Sequence, residues 1–438
     1  MKLGIAKRFT MPDRPSMLRG YGARKELSNG IEDPIEVGVM ALCGEGGETC
    51  LIITADILGI PKAECDKLYP FIREKFGIPA ERVWISGSHT HFAPGFTAYF
   101  MGNKGGGIPY GDNPEDDVYR TLWRERMLDA AAAALGSMEE CTLEHVQVDV
   151  PGIMFNRRTI RKSDGKVTES YLYPEDPEKY EFQPCDSTVS AWRFVSANGP
   201  KAMLVSSAFH PVTGGDNFYG VSGDYPWFFK QKVEELFGCP ACFMLGAAGD
   251  AVPMLRGPGD GQKWARPVSS RRLLGETLAM TLRLNERKFR RDSRQDISMK
   301  VVDVPVSLSP ELDYDNAEKN YQEAEKNQAS DLAFRIESRY LAKTYPGMNF
   351  TMPLRFLRLG DKVLTGMPFE VLSAISLRLK EANPEAVLIS ITGGYNGYMP
   401  LALEFPRGGY ESSFGATDFA PGTGDKFLEY AIEHSKNM

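Results

Sequence analysis

Short apolar runs alternate with amphipathic stretches along the whole chain. Thr49–Leu58 (TCLIITADIL) is continuous enough to predict a buried strand. From Pro61 to Phe76 the residues Leu68, Phe71, Ile72 and Phe76 fall at helical spacing, with Pro61 suited to a first turn. Val83–Ser88 predicts a strand. Asp116–Leu135, rich in Ala, Leu, Glu and Arg, predicts a helix. The alternation continues with strands at Ala202–Phe209, Ala241–Leu245, Met299–Val306 and Ala386–Thr392, and helices at Trp227–Phe237, Ser269–Arg290 and Phe369–Ala382. Leu354–Leu359 and Lys362–Thr365 flank Gly360-Asp361 as a hairpin. Asn156–Pro184 reads as a long loop or β excursion, and Leu312–Thr344 as a charged, mainly helical one.

Strands that alternate with helices predict an α/β fold, with a mixed or mostly parallel central sheet flanked by helices. No low-complexity linker divides the chain, so one domain is expected over residues 1–438, with excursions near 156–184 and 308–350. There is no short-period repeat. One echo exists: VWISGSHTHFAP and AMLVSSAFHPVT both run from an apolar strand into Ser, His and Pro. It is read as a convergence of strand ends.

Composition narrows the picture. The 438 residues are 42% apolar and 25% charged, a globular balance, and 43 Gly and 29 Pro predict long, shaped loops. The net charge of −7, without a basic stripe, argues against a nucleic-acid partner. Arg287–Arg294 is read as a solvated helix end. No segment reaches the ~18 uninterrupted apolar residues of a membrane helix. Met1–Arg14 lacks the apolar core of a secretory signal, so a chain starting at its native Met1 is expected to be cytoplasmic. Seven cysteines, an odd number, do not form a disulfide framework, and Cys239 and Cys242 have no second pair with which to hold zinc. The oligomeric state leaves no signal.

Three of the five histidines, His89, His91 and His210, directly follow predicted buried strands. Ligand sites in α/β folds gather at the carboxyl ends of strands, and imidazole is the commonest side-chain metal ligand. In an extended segment, the spacing of His89 and His91 would send both rings to one face. A catalytic zinc commonly takes two histidines and an acid, leaving one position for water. Asp56, Asp224, Asp250 and Glu370 all stand at suitable places, and spacing does not choose among them. Asp224 reads first as an N-cap. A GxSxG elbow and phosphate loops are absent. Gly105-Gly106-Gly107 precedes Ile108-Pro109 rather than a helix, so it reads as a plain loop, or as a lid near the His motif.

Several segments, in order, resemble one family, the neutral (non-lysosomal) ceramidases. Ser88-His89-Thr90-His91 with Pro94-Gly95 resembles that family's HTH-x-x-P-G signature. Asn156-Arg157, His210-Pro211, Ser222-Gly223-Asp224, Gly249-Asp250 with Pro253, and Met367-Pro368-Phe369-Glu370 resemble successive later motifs. Tyr395-Asn396-Gly397-Tyr398 and Gly409-Tyr410-Glu411 resemble the closing tyrosine motifs, and Arg19-Gly20-Tyr21-Gly22 an opening turn. The resemblance implies a catalytic domain that hydrolyses an amide through zinc-activated water. It implies zinc ligands at His89, His210, Glu370 and Tyr398, with His91 beside the metal-bound water and Arg157 and Tyr410 facing the substrate. The expected partner is a small-molecule or lipid-like amide.

Three departures stand out. Phe92-Ala93 replace Ser-Gly after HTH, Phe369 replaces the Gly of Pro-Gly-Glu, and Arg158 replaces the Ser after Asn-Arg. The chain is expected to lack the C-terminal immunoglobulin-like domain. A smaller polar amide is as compatible as ceramide. The rival readings are ester, lactone or glycosidic cleavage on the same scaffold, or a ligand-binding relative without turnover.

Overall fold

One connection is used three times. An antiparallel hairpin leads into a helix, and the helix returns a strand parallel to the hairpin's second arm. The first unit is Glu36–Cys43, Thr49–Ala55, helix Lys62–Phe76 and strand Val83–Gly87. The second is Thr188–Ser196, Gly199–Ser207, helix Asp224–Phe237 and Ala241–Leu245. The third is Asn349–Leu359, Lys362–Gly366, helix Ser373–Ala382 and Ala386–Ile389. The computed structural model describes residues 1–438 except 22, 23, 25, 97–113, 255–268, 414, 415 and, within 310–348, all but 319, 322, 323, 326 and 327.

The first two units share a nine-stranded sheet, joined through Lys2–Phe9 and Glu139–Asp149. The third sits in a four-stranded sheet extended by Ile297–Ser307, and an isolated bridge, Ser86 to Thr392, links it to the first. The architecture is therefore mixed α/β. It is antiparallel through the middle of the large sheet, and within the two largest sheets it is parallel only where each unit's last strand returns, so the mostly parallel alternative does not hold. Parallel pairing needs a crossover, and the helices supply it.

Burial explains the layering. Each unit packs its helix against its own strands in a separate apolar cluster. A fourth cluster, with Trp84, Trp192, Leu204, Met244, Leu357 and Leu364, draws side chains from all three units. The three parallel strand pairs thus converge with their carboxyl ends together, and the site grows there.

The predicted elements are present with shifted ends. The Phe369 helix begins at Ser373, because Glu370–Val371 pairs as a short strand with Tyr398–Met399. The Ser269 helix ends at Leu284. The Asn156–Pro184 excursion carries a small three-stranded sheet. The Leu312–Thr344 helix and the Gly105–Gly107 loop fall almost wholly outside the described residues. The echo between the two His segments is not a structural repeat: His89 follows its unit's last strand, His210 its unit's second. Cys239 and Cys242 are separate buried thiols, each pushed up to about 11 by burial.

Candidate metal centre

His89 stands two residues past Val83–Gly87, His210 three residues past Gly199–Ser207, and Glu370 four past Lys362–Gly366. Each unit therefore contributes one of these side chains, and all three are buried. The His89-Thr90-His91 segment is not extended. His89 has φ 66°, a left-handed conformation that non-glycine residues rarely adopt. The turn still brings the His89 and His91 rings to 4.9 Å. It also sends the Thr90 hydroxyl the other way, to donate to the Ser222 carbonyl at 2.7 Å.

The Nδ1 atoms show how the rings are set. His89 Nδ1 lies 2.8 Å from the Leu58 carbonyl, and His210 Nδ1 lies 2.9 Å from that of Ala248. A carbonyl can only accept, so each Nδ1 carries a proton and each Nε2 is turned away from it. Those Nε2 atoms point inward. His91 Nε2 is 3.4 Å from His89 Nε2 and 3.1 Å from His210 Nε2. Glu370 Oε2 is 3.1 Å from His89 Nε2 and 3.8 Å from His210 Nε2, and it accepts no hydrogen bond. Glu370 Oε1 accepts from the Tyr395 hydroxyl at 2.7 Å.

Burial, and then the neighbouring charges, hold the His91 and His210 imidazoles well below their usual range, in the neutral donor form. Burial works against ionisation of Glu370, yet the adjacent imidazoles and the Tyr398 hydroxyl bring its carboxyl down to about 2.

Imidazole nitrogens facing one another beside a carboxylate oxygen form a donor set that a cation would join. Donors around one tetrahedral zinc at about 2.0–2.1 Å stand roughly 3.3 Å apart, close to the spacings seen. The His89, His91 and His210 donors lie within 4.8 Å of one another, and this set could hold a metal ion.

The carboxylates that spacing left open now separate. Asp56 accepts from the buried Lys230 ammonium at 2.8 Å and from the Glu36 backbone N–H at 3.1 Å. Asp224 accepts from Thr213 N and Oγ1 at 2.9 and 2.7 Å, locking the loop after His210. It is the first helical residue, not the cap. Asp250 accepts from Asn156 Nδ2 at 2.8 Å and from Ser373 N and Oγ at 2.8 and 2.6 Å, tying the segment before Arg157 to the helix after Glu370. All three are scaffold, and Glu370 alone of the four reaches the imidazoles.

Tyr398 pairs with Glu370 along the short parallel ladder, and its hydroxyl accepts from Arg157 Nη2 at 3.0 Å. Arg157 Nε donates to Glu411 at 2.6 Å. The second oxygen of Glu411 takes Arg158 Nη1 at 2.7 Å, and Arg158 Nη2 donates to Glu404 at 3.0 Å. The residue replacing the family's serine therefore turns away from the imidazoles into a buried chain of ion pairs. The Tyr410 ring stands 5.4 Å from that of Tyr398, and its backbone N–H donates to Glu169. Sequence reasoning missed Glu411 as a bridge between two arginines and Arg24 as a buried neighbour of His91. The Gly409-Tyr410-Glu411 segment was the one available signal for the first.

No family model matches the chain, and no curated protein matches it. Solved structures do. The crystal structure of neutral ceramidase from Pseudomonas aeruginosa superposes with a TM-score of 0.73 at 16% identity, covering 99% of this chain and 74% of that one. A ceramidase complexed with C2 gives 0.71 at 14% identity, with the same coverage. The fold is neutral-ceramidase-like. Among the described residues no helix is long and apolar enough to cross a membrane.

Proposed function

We propose that the chain is a zinc-dependent hydrolase that cleaves an N-acyl amide. The carrying observation is the convergence of three buried imidazoles and the Glu370 carboxylate, on a fold shared with ceramidases. His89, His210, Glu370 and Tyr398 hold the metal. The bound ion supplies a Lewis acid that makes water nucleophilic near neutral pH.

The chain's own residues divide the remaining work. His89 and His210 have their tautomers fixed by carbonyls, as ligands do. His91 Nδ1 is buried with no hydrogen-bond partner among the described residues, so no carbonyl fixes this ring's tautomer. His91 suits proton transfer between the attacking water and the leaving amine. Arg157 and Tyr410 stand beside Tyr398, where charge growing on the carbonyl oxygen needs donors.

Zinc analysis of the purified protein tests the reading, with an expected stoichiometry of about one per chain. His89→Ala should lose nearly all of it, and equal zinc in both proteins overturns the assignment. A panel of N-acyl amides, esters and glycosides then identifies the bond, and turnover of esters or glycosides alone overturns the amide reading.

A further inference from the structure

Two of the three clustered imidazoles are oriented by Nδ1 hydrogen bonds to carbonyls, and the third has no Nδ1 partner among the described residues. Its surroundings show what else aims His91. A segment near the N-terminus crosses directly over it. Arg19 N donates to the Ala93 carbonyl at 3.0 Å, and Leu18 bridges Pro94, so this strap is fixed to the end of the HTH loop. Gly20 lies flat against the His91 ring: a Cβ there would stand 2.4 Å from His91 Cγ. The Tyr21 ring meets the same imidazole edge-on at 4.8 Å.

Arg24 completes the arrangement. It is 2% exposed, and its guanidinium lies against the Tyr21 ring at 4.7 Å and the Phe92 ring at 5.1 Å. Among the described residues, its hydrogen bonds run to four backbone carbonyls. Nη1 donates to His91 at 2.5 Å and to Arg19 at 3.2 Å, and Nη2 donates to Phe218 at 3.0 Å and Gly215 at 3.5 Å. One side chain therefore staples the strap, the HTH loop and the loop that follows His210. A buried cation bonded only to carbonyls is an expensive way to fill space, and an apolar side chain of the same volume would fill it without that desolvation. The fork of donors does what no apolar residue can: it fixes three backbones relative to one another.

We propose that Arg24 is a positioning residue that holds the His91 imidazole in register with His89 and His210. The assignment rests on the reading of His91 as the proton-transferring member of the site. Loss of Arg24 frees the His91 and Phe218 carbonyls together and leaves the metal ligands in place.

The test uses the full chain with Arg24→Met, and Arg24→Lys as a milder variant should the first fail to fold. Amide hydrogen exchange at 88–93 and 213–219 should quicken about tenfold, as expected when hydrogen bonds from a charged donor are lost. Exchange in strands Thr49–Ala55 and Gly199–Ser207 should stay unchanged. The His91 ring signal in a 15N–1H spectrum should move while those of His145 and His434 hold still. In Arg24→Ala, millimolar methylguanidinium should restore both readouts. Unchanged exchange in either loop, uniform acceleration everywhere, or no rescue overturns the assignment. Zinc per chain should match the wild-type protein. A wild type that takes up no zinc sinks the functional reading, and the exchange data still decide the role of Arg24.

Discussion

His89 and His210 are held by neutral backbone carbonyls at strand ends, whereas Arg157 is held by a carboxylate that it shares with a second arginine. The imidazole side is built on the most regular part of the fold, and each ring has one partner fixing one tautomer. The guanidinium side is built where the short strands Met154–Asn156 and Arg158–Arg161 meet and on the turn Tyr410–Ser412, and it relies on charge. Neutral anchoring survives dehydration at little cost. Charge anchoring works only while every member of the chain is present, because a lone buried ion is strongly destabilising. The two sides should therefore fail differently: the first in metal uptake, the second in folding.

The largest expected effect is on the charged side. Glu411 is fully buried between Arg157 and Arg158, so Glu411→Gln takes the carboxylate partner from Arg157 and leaves Arg158 with Glu404 alone. Chemical denaturation should show a loss of about 3–5 kcal/mol. The effect has a pH signature. Burial works to raise the Glu411 carboxyl, but the Arg157 and Arg158 charges hold it below the usual carboxylate range. A carboxyl with a depressed native value contributes its stability above the ordinary value of about 4.3 and loses it as pH falls through the lowered one. The gap between wild type and variant should thus be full at pH 7 and close in the acid range. A gap that stays constant down to pH 2 breaks the charge explanation.

On the imidazole side the expected loss is in zinc affinity with little change in the apo fold. His210→Ala should weaken zinc by at least about 100-fold in a chelator competition, and His91→Ala by about tenfold or less. Equal losses would erase the distinction between rings that bear their own carbonyl partner and the ring that does not. The smallest effect is Arg158→Ser, which restores the family's residue. Glu404 keeps Arg407 at 3.1 Å and Glu411 keeps Arg157, so the cost should be about 1–3 kcal/mol by thermal melting. A larger loss would make Arg158, rather than Glu411, the centre of the chain.

The strand-end histidines were legible because burial and ring chemistry leave a local mark: an apolar run, then His, Gly and Pro. The choice of Glu370 over Asp56, Asp224 and Asp250 was not. All four follow strands, and what separates them is a partner far away in sequence, such as Lys230 for Asp56 or Ser373 for Asp250. Resemblance to a family singled out Glu370, the one of the four that lies beside the imidazoles, where spacing could not. The extended reading of His89-Thr90-His91 failed because backbone strain at one residue has no sequence signature outside glycine. Arg24 was invisible for a related reason: its donors reach carbonyls, which every residue has. The threefold use of one connection also left no trace, since parallel pairing imposes apolar runs but no common residues.

The central cluster sits where three separately packed layers meet, and each layer lends it one side chain. An ion bound there would act as a keystone, loaded from all sides and resting on none alone. Stripping it away should therefore relax the seams between the layers before any one of them comes apart.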